Sequence, residues 1–277
     1  MFKNILKSFI WLIFYFIVSI IGTISAMIVY IFKNIQLLSE IETNPEWFTK
    51  VLFSTAVPGL IIAAVITIII FVLYKIIRKH PFDTPKVKPS IAIFSVFVGF
   101  SLNSVITLIL GIISQFIPDT LVENLEQSTD LATSNELSLP LLIIGTGILV
   151  PIMEEIIFRY GMHKTLARSN VIIAYISSSL IFGIMHGNLI QCVYTTFLGI
   201  VLAYFLTKSE NLWYPMIIHI TINTTSVIIS EVGEAGAILM LLIGIIGITS
   251  SIIMVRKNKE VRTIFQKEPK VTVEIVL

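Results

Sequence analysis

Charge is scarce in this chain. Only 13% of its 277 residues are Asp, Glu, Lys or Arg, about half the share a soluble domain carries, while 56% are hydrophobic. That balance excludes an ordinary water-soluble globule and an intrinsically disordered chain. A net charge of +2 also excludes a strongly basic nucleic-acid binder. Cysteine is limited to Cys192, so no intramolecular disulfide and no thiolate metal site can form. G-x-S-x-G, the Walker A loop and H-E-x-x-H are missing too, leaving serine-hydrolase, nucleotide-driven and zincin readings without support. No internal repeat or linker divides the chain, and residues 1–277 read as one integral-membrane domain.

What the chain has instead is long apolar runs. A spanning helix needs about 20 predominantly apolar residues. Runs without charge occur at 9–32, 51–74, 91–117, 139–153, 171–187, 188–207, 212–230 and 235–255. The fourth counts as a span only if it continues through 154–162. The expected fold is all-α and polytopic, with about eight transmembrane helices. Lys3 and Lys7 before the first run resemble a signal peptide. The run is long for that role and no small-x-small site follows, so it reads as a retained helix. Pro58-Gly59 predicts a kink in the second span. His186-Gly187-Asn188 predicts a tight turn between the fifth and sixth.

Eight spans with the N-terminus inside place seventeen of the nineteen Lys and Arg residues in cytoplasmic segments, leaving Lys33 and Lys50 outside. The positive-inside rule then puts both termini in the cytoplasm. Residues 256–277 read as a cytoplasmic tail. Its final alternation, Val271 to Leu277, has no strand partner. His80 and His163 fall in basic cytoplasmic segments and read as solvated side chains. Of the seventeen acids, ten fall in outer segments and five in cytoplasmic ones. Only Glu154 and Glu155 lie within a span.

Ionisable groups inside a bilayer are costly and mark partners, cavities or function. Here they are Glu154, Glu155 and Arg159 in span four, His186 at the end of span five and His219 in span seven, with Asn223 one turn later. At 3.6 residues per turn, Glu155 and Arg159 lie on one face and can pair. Glu154 points elsewhere, without a partner on its own helix, which suits a general base or acid. With a turn at Ser169-Asn170, Glu154 and His186 each lie about 23 Å from the hairpin tip. On span seven, His219 lies about 9 Å and Asn223 about 15 Å deeper than the Trp213-Tyr214 pair. A four–five hairpin projecting about 10–12 Å into the cytoplasm would bring all four to one level, in the inner half of the membrane.

Pro151-Ile-Met-Glu-Glu-Ile-Ile-Phe-Arg159 resembles the E-E-x-x-x-R motif of the CPBP intramembrane proteases, the family of CAAX-processing and bacteriocin-processing (Abi) enzymes. Phe182-Gly-Ile-Met-His186 is similar to its F-x-x-x-H motif, and His219-Ile-Thr-Ile-Asn223 to its H-x-x-x-N motif. The likeness covers roughly 139–230, the expected catalytic core. Tyr160 departs from it, standing where members often have glycine. The resemblance implies an endopeptidase acting on membrane-associated peptides or proteins, in peptide maturation or bacteriocin self-immunity. Glu154 and His186 would activate water, His219 and Asn223 would polarise the carbonyl, and Glu155 with Arg159 would support the helix. If a metal such as zinc takes part, Glu154, His186 and His219 are its candidate ligands. Metal-independent catalysis is slightly favoured, because a ligating glutamate is unavailable as base. An A/T-rich bacterial genome fits the composition, and the site is expected to face the cytoplasmic leaflet of a cell membrane. The rivals are a proton- or cation-coupled transporter using the same buried groups and a non-catalytic scaffold.

Overall fold

A computed structural model describes residues 1–36, 47–77, 85–121, 123, 137–233 and 235–266. Eight apolar helices match the eight runs: α1 (Phe2–Lys33), α2 (Trp47–Ile77), α3 (Pro89–Ile113), α4 (Leu139–Ala167), α5 (Val171–Ile184), α6 (Leu189–Ser209), α7 (Trp213–Ser230) and α8 (Ala235–Lys257). No strand occurs among the described residues. This is a polytopic all-α membrane protein. Six of the helices, α1, α2, α3, α4, α6 and α8, are long and apolar enough to cross a bilayer by length and composition. The two that fall short carry candidate site residues at or near their ends or on their faces. Helix α5 has only 14 residues and leads into His186, and α7 is diluted by His219, Asn223 and several hydroxyl side chains.

Helix α4 is the central element. Its most apolar stretch is 56% buried inside the protein, against 17–39% for the other five long helices. It is also irregular. Ile143–Leu149 and Glu155–His163 are π-helical, separated by the α-helical turn Val150–Glu154. π-Helical turns are rare and concentrate at functional sites. Around it, α1 pairs with α2, α3 with α7 and α8, and α5 with α6.

Local chemistry sets the turns and the close approaches. The Oδ1 of Asn170 accepts from the backbone N–H groups of Ile172 and Ile173 and starts α5. Asn188 starts α6 in the same way, through Ile190 and Gln191. Before it, Gly187 takes φ +71, a backbone glycine adopts without steric cost. Pro58 lies inside the unbroken helix α2. A Cβ on Gly59 would come within 2.9 Å of the Thr23 Cα, and one on Gly22 would strike the Gly59 carbonyl. These positions hold α1 and α2 at backbone contact.

Hydrogen bonds gather several element starts and turns into one end of the bundle. Asn4 donates to Ser169 at 2.8 Å, joining the start of α1 to the α4–α5 turn. Asn211, in the α6–α7 turn, donates to the Pro85 carbonyl, and the Lys88 N–H donates to the Tyr214 hydroxyl. Tyr214 is buried, whereas Trp213 stays exposed.

Part of the segment read as a tail is folded. Lys259–Gln266 forms helix α9, burying Val261 and Ile264 against the bundle. Phe265 stacks among Phe94, Tyr204 and Phe205. The period-2 run 271–277 and His80 lie outside the described residues. The Ser90 hydroxyl donates to Glu260, and Lys88 lies 3.2 Å from it. Both hold the Glu260 carboxyl below its usual range, the hydroxyl first. A lowered folded-state value stabilises docking above the unfolded value, and the gain is lost as pH falls through the folded one. Glu260→Gln should loosen α9 at neutral pH and have little effect in acid. Hydrogen exchange of 259–266 measures this, and equal protection of wild type and variant at neutral pH would contradict it.

Candidate active site

Two adjacent glutamates and one histidine meet at the junction of the α-helical and π-helical parts of α4. Glu155 and Arg159 side chains are both 0% exposed, with Arg159 Nε 3.4 Å from Glu155 Oε2. Glu155 also turns its other oxygen across the bundle, Oε1 lying 3.0 Å from His219 Nδ1. The second ring nitrogen, Nε2, lies 3.6 Å from Glu154 Oε2. The result is a linear chain, Glu154–His219–Glu155–Arg159. Within it, His219 is almost fully buried, and the Glu154 side chain keeps 12% exposure. Glu154 thus acquires its partner from α7, and Glu155 serves two partners instead of Arg159 alone.

Charge counting constrains this chain. Two carboxylates face one guanidinium, and an isolated net charge in a low-dielectric interior is expensive. One proton carried between Glu154 and His219 makes the cluster neutral. That proton can pass between Glu154 and His219 without changing the net charge of the cluster.

The Phe182 ring organises the remaining groups. It meets His186 edge-on at 4.9 Å and His219 at 5.8 Å, and it stacks beneath Arg159 at 4.7 Å. The Phe158 ring packs against it at 5.2 Å. His186 is half-buried just past the end of α5, with Nδ1 2.9 Å from the Phe182 carbonyl. A carbonyl only accepts, so Nδ1 must carry the proton and a neutral His186 keeps its Nε2 lone pair. The Phe182 ring contacts both His186 and His219, and among the described residues His186 hydrogen-bonds the Phe182 carbonyl and not Glu154.

Asn223 sits one turn beyond His219 but reaches α4 at a different point. Its Nδ2 donates to the Thr146 carbonyl at 3.2 Å, and Thr224 Oγ1 donates to the Gly147 carbonyl at 3.2 Å. Both carbonyls belong to the first π-helical stretch. The structure thus gives Asn223 a helix-anchoring contact and leaves its second amide hydrogen uncommitted among the described residues.

The expected solvated state of His163 is corrected. His163 is 1% exposed, its Nε2 2.9 Å from Thr207 Oγ1 and its ring 5.1 Å from Tyr175. Thr207 spends its own hydrogen on the Ala203 carbonyl, so His163 is the donor. The basic residues around it suggested exposure to solvent, whereas α4 runs on to Ala167 with Met162 and Leu166 buried. The four-residue spacing from Arg159 is the signal that would have found it. Tyr160 is a packing centre, touching Trp11 and Phe71 and lying 4.6 Å from Lys75 Nζ.

The metal expectation meets an obstacle. Each imidazole commits Nδ1 to an oxygen, an arrangement metal-binding histidines also use. Yet among the described residues no group of three His, Cys, Asp or Glu side chains comes together to hold an ion. His219 Nε2 faces Glu154 directly. As arranged, these residues do not form a three-ligand site.

Residues 136–225 match the family model described as Type II CAAX prenyl endopeptidase Rce1-like. A Bacillus subtilis protein named "Putative membrane peptidase YdiL" is 37% identical over 92 residues, covering 33% of this chain and 38% of that relative's length. The "UPF0177 protein YvdC" of Lactococcus lactis is 25% identical over 227 residues, covering 78% of this chain and 83% of its own. No solved structure matches. All six motif residues, Glu154, Glu155, Arg159, His186, His219 and Asn223, fall inside 136–225. The part of this multi-pass protein that builds the buried Glu–His–Glu–Arg chain is thus similar to the Rce1-like CAAX endopeptidases, the resemblance its three motifs carry.

Proposed function

We propose that this protein is an intramembrane endopeptidase that hydrolyses membrane-associated peptides or proteins by a metal-independent, glutamate-dependent route. The observation that carries the reading is the Glu154–His219 contact at 3.6 Å, in a chain continued by Glu155 and Arg159. The family match at 136–225 and the name of the Bacillus relative support a membrane protease.

In this mechanism water attacks the scissile carbonyl while Glu154 takes its proton, and the His186 Nε2 lone pair orients it. With the shared proton on His219, Glu154 is free to accept the water proton, and the positive charge this adds to the cluster offsets the negative charge developing on the carbonyl oxygen. The second Asn223 amide hydrogen serves the oxyanion. Collapse of the tetrahedral species breaks the C–N bond, and Glu154 returns the proton to the departing amine. The substrate enters in extended form, because a helix occupies its own carbonyls. In this reading the bundle end that joins Asn4 to Ser169 faces the cytoplasm of a bacterial cell, the orientation that the positive-inside rule favours for its basic residues.

The test is purified full-length protein in proteoliposomes with fluorogenic membrane peptides. Cleavage by wild type, and its loss in His186→Ala and His219→Ala, is the expected outcome. Ion flux that depends on Glu154, with no cleavage across a broad peptide panel, would replace this reading by the transporter. Activity should also survive exhaustive chelation, verified by metal analysis of the treated protein. Loss on chelation with recovery on adding zinc would overturn the metal-independent route.

A further inference from the structure

Helices α4 and α5 form a hairpin of unequal arms. Helix α5 holds 14 residues, about 21 Å, whereas α4 holds 29, about 43 Å. Their shared turn, Ser169-Asn170, lies at the basic end of the bundle, tied by Ser169 to Asn4. The turn at the other end of α5, His186-Gly187-Asn188, therefore stops near the level of Glu154. The Phe182 ring, which touches both His186 and His219, holds it there. Beyond that level α4 continues from Glu154 to Leu139, about 22 Å, and α7 continues from His219 to Ser230. Neither α5 nor α6 accompanies them, because α6 starts at Leu189 and returns to the basic end.

Packing differs on the two sides of Glu154. Toward the basic end α4 is sealed, with Ile156, Ile157, Phe158 and Met162 at most 2% exposed. On the opposite side the seam of α4 and α7 carries the half-buried polar groups Thr146, Asn223 and Thr224. The turn itself borders open space. Gly187 is exposed, and a Cβ built on it meets no atom within 4 Å. Yet it lies about 20 Å from the basic end, inside a hydrocarbon core about 30 Å thick. Non-helical backbone at such depth is tolerated only where protein buries it or water reaches it. Gly187 is not buried, so water reaches it. The bodies of α5 and α6 fill the basic side of the turn, which leaves the opposite side as the route.

We propose that the site opens at the bundle end opposite Asn4 and Ser169, and that hydrolytic water and substrate both arrive over the His186-Gly187-Asn188 turn. With the basic end in the cytoplasm, this opening faces the outer side of the membrane, the reverse of the cytoplasmic-leaflet access expected from the sequence. The substrate class is then an exported or outward-facing segment of a membrane-associated chain. Its carbonyl meets Asn223 and His186 before it reaches Glu154. The substrate class rests on the endopeptidase reading, whereas the opening rests on geometry alone.

Two measurements test the proposal. In a Cys192→Ser background, Gly187→Cys at the turn and Arg168→Cys at the basic end are treated on intact cells with a membrane-impermeant maleimide. Labelling of Gly187→Cys from outside, and of Arg168→Cys only after permeabilisation, is expected. Labelling of both from one side, or of Gly187→Cys from neither, overturns the opening. Leu189→Cys replaces Gly187→Cys under the same criteria should the latter fail to fold. An impermeant fluorogenic membrane peptide is then added outside sealed vesicles that carry wild-type protein in either orientation. Cleavage by right-side-out vesicles, and its loss in inside-out ones, is expected. Cleavage as fast or faster in inside-out vesicles overturns the proposal and leaves the endopeptidase reading standing. No cleavage in either orientation overturns that reading, and the substrate class with it.

Discussion

Glu154→Gln is expected to lower peptide cleavage about 10²–10⁴-fold, the range that a positioned general acid–base group contributes. The substitution keeps volume and shape at a side chain only 12% exposed, and a neutral amide can still face His219. What it removes is the capacity to take a proton from water. His219 keeps its shorter contact, 3.0 Å to Glu155, so the imidazole stays in place. The expected signature is therefore a collapse of kcat with Tm close to that of wild type. A large loss of Tm would show instead that Glu154 is structural. Retained cleavage would remove it from the chemistry.

Arg159→Met should be the most destabilising single change. Arg159 and Glu155 are both 0% exposed, and the guanidinium lies against the Phe182 ring. Removing the cation leaves Glu155 with His219 as its remaining partner in the Glu–His–Glu–Arg chain, and breaking a buried pair costs about 3–5 kcal/mol. Combining it with Glu155→Gln removes the stranded carboxylate, so the double variant should melt above Arg159→Met alone. It should nevertheless remain slow, because Glu155 also holds His219 at Nδ1. Thermal unfolding of the purified proteins in one detergent checks the order. A double variant whose loss equals the sum of the two single losses would contradict a coupled pair.

Hydropathy alone reveals much of this architecture, because a bilayer demands long apolar helices with their backbone groups paired internally. The eight runs correspond to eight helices, and Asn170 and Asn188 mark the turns by ordinary capping chemistry. The interior of α4 was harder to read. A π-helical stretch has no hydropathy signature, and Arg159, Lys164 and Arg168 disguised the buried continuation that holds His163. The pairing inside the site was hidden for a related reason. Spacing along one helix linked Glu155 to Arg159, but the contacts of both glutamates with His219 are made between helices. Phe182 lay in plain view within Phe182-Gly-Ile-Met-His186, yet only the packed structure shows its ring touching His186, His219 and Arg159.

The central claim is that Glu154, paired with His219, activates water for peptide-bond hydrolysis. Its most direct test is cleavage of a membrane peptide by the reconstituted protein in heavy-oxygen water, with mass spectrometry of both fragments. The account predicts one heavy oxygen in the new C-terminal carboxylate for wild type and no product above background for Glu154→Gln. Equal product from both proteins, or no product from wild type with any membrane peptide, would contradict it.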